Sequence, residues 1–203
     1  MNQAVKETLG FQAEVKQLLQ LMIHSLYSHR EIFLRELVSN AADAVLKLQK
    51  LALIGDVKTE VPEAEIRLEI DAAGKRLIIT DTGLGMTADE IKKYINQVAF
   101  SGISDFMEKY KDKGDADQVI GHFGLGFYSA FMVAHKVEID TLSYQEGAEA
   151  AHWSSEGTTQ YTLTKSDRKE IGTSIILHIS DDSPEMLVES TIKGLVRRYC
   201  AYI

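Results

Sequence analysis

Glu36, Asn40 and Asp43 stand at i, i+4 and i+7 within a run from Ser28 to Ile54 that contains neither glycine nor proline. At helical periodicity that spacing puts two carboxylates and an amide on one face. A carboxylate so placed can orient or deprotonate a water, and an amide offers a neutral carbonyl oxygen to a hard cation. Apolar Ile32, Phe33, Leu37, Ala41, Ala44, Leu48 and Leu51 recur at the same spacing and predict one long amphipathic helix. Polar groups beside such a stripe either line a pocket or form a solvated face, and this stretch alone leaves both readings open.

Asp81 follows a strand-like run, Arg76 to Thr80, and precedes Gly83, Gly85 and Met86. Glycines there let backbone approach a flat ligand closely. An ionised carboxylate only accepts hydrogen bonds, which suits an exocyclic amine such as that of adenine; the plainer reading is an Asp-Gly turn. Further on, Gly121, Gly124, Leu125, Gly126 and Phe127 open a second helical stretch. Glycines allow backbone N–H groups to converge and a helix N-terminus attracts anions, so this segment is a candidate phosphate cradle. The chain has no Gly-x-x-x-x-Gly-Lys-Ser/Thr motif, and a dinucleotide fingerprint does not fit. With phosphates near, the Asn40 oxygen suits a Mg2+ ion that keeps several waters.

These three segments, in this order, resemble the ATPase superfamily that joins type II topoisomerases, mismatch-repair ATPases, sensor histidine kinases and heat-shock protein 90 chaperones. The longer match, Phe11 to Leu19, Ser25 to Ser28 and Glu31 to Asn40, resembles the N-terminal ATP-binding domain of the heat-shock protein 90 family, bacterial type, and extends over nearly the whole chain. The resemblance implies that Asp81 takes the adenine amine, that Gly85 and Met86 line the base pocket, and that Thr173 lies near the base. It implies nucleotide contacts from Asn40, Asp43, Ala44, Gly121, Gly124, Leu125, Gly126 and Phe127, a Mg2+ ligand in Asn40 and a catalytic Glu36. The implied cofactors are ATP/ADP and Mg2+. The implied partners are unfolded or partly folded client proteins and a second copy in a homodimer, both through further domains. Phe100 stands where many family members carry a basic residue, and Tyr94 where many carry Asn, so no role is transferred to either.

Composition limits the alternatives. At 203 residues the chain suits one domain. With 45% hydrophobic and 26% charged residues it reads as globular. A net charge of -8 argues against a nucleic-acid-binding face, which needs clustered cations. The opening Met1–Thr8 has no signal-peptide apolar core, and no apolar run is long enough for a membrane span. A single cysteine, Cys200, fits a reducing compartment, and the expected location is cytoplasmic. Cys200 shares an apolar helical stripe with Leu195, Val196 and Tyr199, so packing is its expected role. A sensor kinase domain, a topoisomerase-like fragment and a nucleotide-dependent binding module without turnover are the competing readings.

The elements that must position these groups follow from local pattern. A first helix is expected over Phe11 to Leu26, and a capping box at Ser28 and Glu31 starts the key helix, which Gly55 ends. Ile66 to Ile70 and Leu77 to Ile79 form a hairpin around Asp71–Gly74, and a helix begins at Thr87. Polar, glycine-punctuated sequence at about 98–126 reads as a mobile lid. A short helix over Phe127 to Val133, strands around Val137 to Thr141, Ala151 to Ser155, Gln160 to Thr164 and Ser174 to Ile179, and a closing helix from Pro184 complete the chain. Helices first and then many strands predict an α+β two-layer sandwich, helices on one face of a mixed, mostly antiparallel sheet. In the resembled family this is the Bergerat-type ATP-binding fold.

Overall fold

The computed structural model describes residues 30–95, 126–158 and 160–201, together with the backbone of 7–10. The expected first helix, most of the lid, Phe100 and the glycines at 121 and 124 lie outside these residues.

The long apolar-striped run forms α1, Ile32–Leu53. Phe33, Leu34, Leu37 and Leu48 are fully buried, each worth roughly 1.5–3 kcal/mol of transfer free energy. Packing of this stripe therefore fixes the rotation of Glu36 and Asn40. Glu31 occupies the N-cap without a side-chain cap, and Ser28, the other half of the expected capping box, lies outside the described residues. The C-terminus follows expectation: Gly55 takes φ +81°, and the Gly55 and Asp56 N–H groups donate to the Ala52 and Leu51 carbonyls at 3.1 and 3.0 Å. That is the Schellman arrangement, which only a residue tolerant of left-handed backbone allows cheaply.

The sheet has seven strands: β1 (Glu7–Gly10), β2 (Ile66–Asp71), β3 (Arg76–Asp81), β4 (Ala134–Leu142), β5 (Ala151–Ser155), β6 (Gln160–Lys165) and β7 (Gly172–Ile179). Their order is β1-β6-β5-β4-β7-β3-β2. Every ladder is antiparallel, so the described sheet is more uniform than the mixed sheet predicted. Sequence pattern missed β1, which is only four residues long.

Register arranges one face in rows. Ile79, Ile175, Ile139, Trp153 and Leu163 lie side by side across five strands, and all but partly buried Ile175 are fully buried core. The next row along is Asp81, Thr173, Thr141 and Ala151. The apolar face thus turns polar at one end, on the side covered by α1, α2 (Ala88–Tyr94) and a 3-10 segment, Gly126–Met132. Thr87 and Glu90 form a reciprocal capping box at 3.2 and 2.7 Å, so α2 starts where the sequence predicts. A 3-10 turn, Pro184–Leu187, and α3, Glu189–Tyr199, close the chain, with Cys200 buried as expected. Among the described residues no helix is long and apolar enough to cross a membrane.

Candidate functional site

A cavity of about 550 Å3 opens between α1 and the polar end of the sheet. Asn40, Asp43, Ala44, Asp81, Gly85, Met86, Phe127 and Thr173 line it together. Eight residues chosen from separate stretches of sequence thus converge on one space. A larger cleft of about 710 Å3 lies between β2 and α3, but its charged residues all come from α3, and Glu189 and Lys193 there are paired with each other at 2.5 Å. It lacks a convergent polar set.

Asp81 is 5% exposed and ends β3. Its Oδ1 accepts from the Gly83 N–H at 2.8 Å. Burial, the largest effect, pushes its carboxyl up to about 6, against the N–H groups of Gly83 and Thr173 and the Arg168 charge, which favour ionisation. Thr173 and Thr141 are hydroxyl neighbours at 3.0 Å, and Thr141 also accepts from the Met86 N–H at 2.9 Å. Thr141 therefore ties the glycine loop to the sheet floor.

That loop is fitted to its surroundings by missing side chains. A Cβ at Gly83 would lie 2.6 Å from Ala44, so the loop packs directly on α1, and the Leu84 N–H donates to the Ala44 carbonyl at 3.3 Å. Ala44 has to be small for this contact. Gly85 has φ +62°, and a Cβ there would collide with the Leu142 carbonyl.

Glu36, one turn before Asn40, and Gly126, packed against Glu36, sit beside the lining of the cavity and not within it. Glu36 is buried, and its Oε1 accepts from Arg35 Nε and NH2 at 3.1 and 2.8 Å. A Cβ on Gly126 would come within 2.8 Å of Glu36 Oε2 and 3.7 Å of Asn40 Nδ2. The last glycine of the candidate phosphate loop thus abuts the candidate base. Gly126→Ala is expected to turn the Glu36 carboxylate aside, since that side-chain end can move, while the 3.3 Å approach to Glu36 Cβ is relieved by a shift of a few tenths of an ångström. Hydrolysis should fall at least tenfold while the melting temperature shifts by no more than about 3 °C, read from phosphate release beside a thermal melt. Of the rest of that loop, Gly121, Gly124 and Leu125 lie outside the described residues.

Sequence reasoning missed several lining residues: Lys47, Leu51, Leu84, Glu90, Tyr94 and Tyr144. Lys47 and Leu51 continue the Asn40 face of α1 about two and three turns further on, so helical spacing could have found them. Thr141 carried a signal too, as a polar residue at an inward position of an otherwise apolar alternation. Tyr94 is 49% exposed, with the Lys93 ammonium 5.1 Å from its ring centre, and nothing in the sequence marked it as lining. Among the described residues no three His, Cys, Asp or Glu side chains cluster as a metal site. The Asn40 amide oxygen would offer a Mg2+ ion one ligand here, with phosphate oxygens and waters completing its shell.

A family profile described as histidine kinase-, DNA gyrase B-, and HSP90-like ATPase matches residues 27–182. The chain is 54% identical to the chaperone protein HtpG of Bacteroides thetaiotaomicron over 88% of its own length and 26% of the relative's. It is 48% identical to that of Chromobacterium violaceum over 98% of the chain and 32% of the relative, and 44% identical to that of Myxococcus xanthus over 100% and 31%. The chain therefore spans about a quarter to a third of the curated relatives it matches. It belongs to the family of histidine kinase-, DNA gyrase B- and HSP90-like ATPases, and within that family its similarity is to the HtpG chaperones.

Proposed function

We propose that the chain is one nucleotide-binding domain whose cavity holds ATP or ADP with the adenine amine on Asp81. The observation that carries this reading is the state of Asp81: a buried carboxylate lining a cavity, with no cationic side chain bonded to it among the described residues. Such a group retains acceptor capacity that only a ligand or water donor can meet. Thr173, Gly85 and Met86 flank the base, and Phe127 closes the apolar side. Asn40, with Asp43 and Ala44 beside it, faces the phosphate end, where its amide oxygen would hold Mg2+. That ion neutralises phosphate charge when bound. Glu36 orients the attacking water and accepts its proton. Gly126 ends the loop whose N–H groups meet the phosphates.

Hydrolysis then serves a chaperone, the role that the names of the HtpG relatives support, acting in the cytoplasm on unfolded or partly folded client proteins as a homodimer through further domains. The second reading, a binding module with negligible turnover, draws on one observation: Glu36 is paired to Arg35 and does not line the cavity. Phosphate release measured beside ATP titrations, with and without Mg2+ and with GTP as control, separates them. The proposal expects ATP and ADP to bind, GTP to bind at least tenfold more weakly, and release to require Mg2+. Binding without release in the full-length protein would leave the module reading.

A further inference from the structure

The loop between β6 and β7 lays one side chain, Arg168, against the outer face of the sheet, opposite the cavity. Its NH1 donates to Ser174 Oγ at 2.7 Å and to the Asp140 carbonyl at 3.5 Å, and its Nε donates to the Glu170 carbonyl at 2.8 Å. Ser174 Oγ is in turn 2.9 Å from Thr80 Oγ1. Thr80 and Ser174 are paired across β3 and β7, and the next pair in that ladder is Asp81 and Thr173. The guanidinium is therefore bonded to Ser174, and through the Ser174 hydroxyl linked to Thr80, the outward-facing pair directly behind the two inward-facing residues of the proposed base pocket.

We propose that Arg168 is a positioning residue for the base pocket, clamping the strand pair that carries Asp81 and Thr173 and supplying positive charge to the buried carboxylate through the sheet. The inference rests on the reading of Asp81 as the base acceptor. A carboxylate accepts from an amine only in full measure when ionised, and burial opposes ionisation. Arg168 favours it, and a charge acting through protein is screened less than one acting through solvent. The other charged groups around Asp81 are Asp43 and Lys47 from α1 and Glu90 from α2, which share its cavity, and Asp140 of β4 on the Arg168 side. Lys47 is exposed, and Glu90 is bonded to Gln145 and to the Thr87 N–H. Arg168 is thus the fixed cation among them.

The test is ADP affinity by calorimetry from about pH 5.5 to 8.5 for the parent, Arg168→Gln, Arg168→Lys, Asp81→Asn and the Asp81→Asn/Arg168→Gln double variant. Ionisation of ADP cancels in the ratio of variant to parent at each pH, and the Asp81→Asn background controls for His152, which pairs with Glu138 at 2.9 Å and with Asp140 at 3.8 Å on the Arg168 side. Arg168→Gln should weaken ADP about two- to fivefold near pH 6.5 and by less than about 1.5-fold near pH 8.5, where Asp81 is ionised in either protein. Arg168→Lys, which keeps the cation, should follow the parent profile. In the Asp81→Asn background, removing Arg168 should move no pH profile. A constant ratio across pH for Arg168→Gln, or a Lys variant shifted as far as Gln, overturns the charge role while leaving Asp81 as the base acceptor. Unchanged ADP affinity in Asp81→Asn overturns the base-pocket reading, and this inference with it.

Discussion

Glu36→Ala should lower ATP hydrolysis in the full-length protein by roughly 100- to 10,000-fold, the ordinary cost of losing a positioned general base. Nucleotide affinity should stay within about threefold, because Glu36 lies beside the cavity and not in its lining. The side chain is held by bidentate donation from Arg35 and by close packing against Gly126. Its loss therefore removes an oriented carboxylate and leaves Arg35, which is partly exposed, free to hydrate. Asn40→Ala separates the roles in the other direction: affinity for the Mg-nucleotide should fall several-fold while affinity for nucleotide without Mg2+ changes little. Calorimetry with and without Mg2+, beside single-turnover phosphate release, reads both. Parental hydrolysis in Glu36→Ala would assign water activation to another residue.

Asp81→Asn should weaken ATP and ADP binding at least tenfold, since a lost hydrogen bond to a charged group costs roughly 1.5–3 kcal/mol. The same substitution should stabilise the unliganded fold at neutral pH. Burial raises the Asp81 pKa to about 6, well above its unfolded value of 3.8. A raised carboxyl pKa contributes stability that is complete below about pH 4 and is lost as pH rises through about 6. At pH 7.5 the buried charge therefore costs on the order of 3 kcal/mol, from a shift of about two units at 1.36 kcal/mol each. Asparagine carries no charge, and its oxygen can still accept from the Gly83 N–H. The variant should melt higher at pH 7.5, by roughly 2–4 °C for each kcal/mol gained, and the advantage should vanish near pH 4. By the same sign, nucleotide affinity in the parent should decline below about pH 6 as the carboxylate takes up a proton. Melting curves across that range, without ligand, check the stability half; a variant less stable than its parent at pH 7.5 contradicts it.

Much of this arrangement is legible in the sequence. Helical spacing alone put Glu36, Asn40 and Asp43 on one face of a helix whose apolar stripe is indeed buried. The positions of Asp81, Gly85 and Met86 after a strand likewise anticipated a turn that packs closely, and Gly83 against Ala44 shows how closely. What periodicity could not supply was sheet order. Thr141 and Thr173 are neighbours only because β4 pairs with β7, and Arg168 reaches the Asp140 carbonyl only through the same pairing, which sets Asp140 beside Ser174. Non-local pairing of this kind leaves no mark within either segment. The strand Glu7–Gly10 was missed because four residues are too few for an alternation to stand out. Tyr94 belongs to the cavity while remaining half exposed, so neither burial pattern nor residue type marked it.

The central claim is that the α1–sheet cavity takes an adenine base on Asp81, and a crystal structure of the protein with ADP tests it most directly. The account predicts the base in that cavity, its exocyclic amine within hydrogen-bond distance of an Asp81 carboxylate oxygen, and the diphosphate extending toward Asn40 and Gly126. ADP bound with its base in the β2–α3 cleft, or in the cavity with the amine turned away from Asp81, would contradict it.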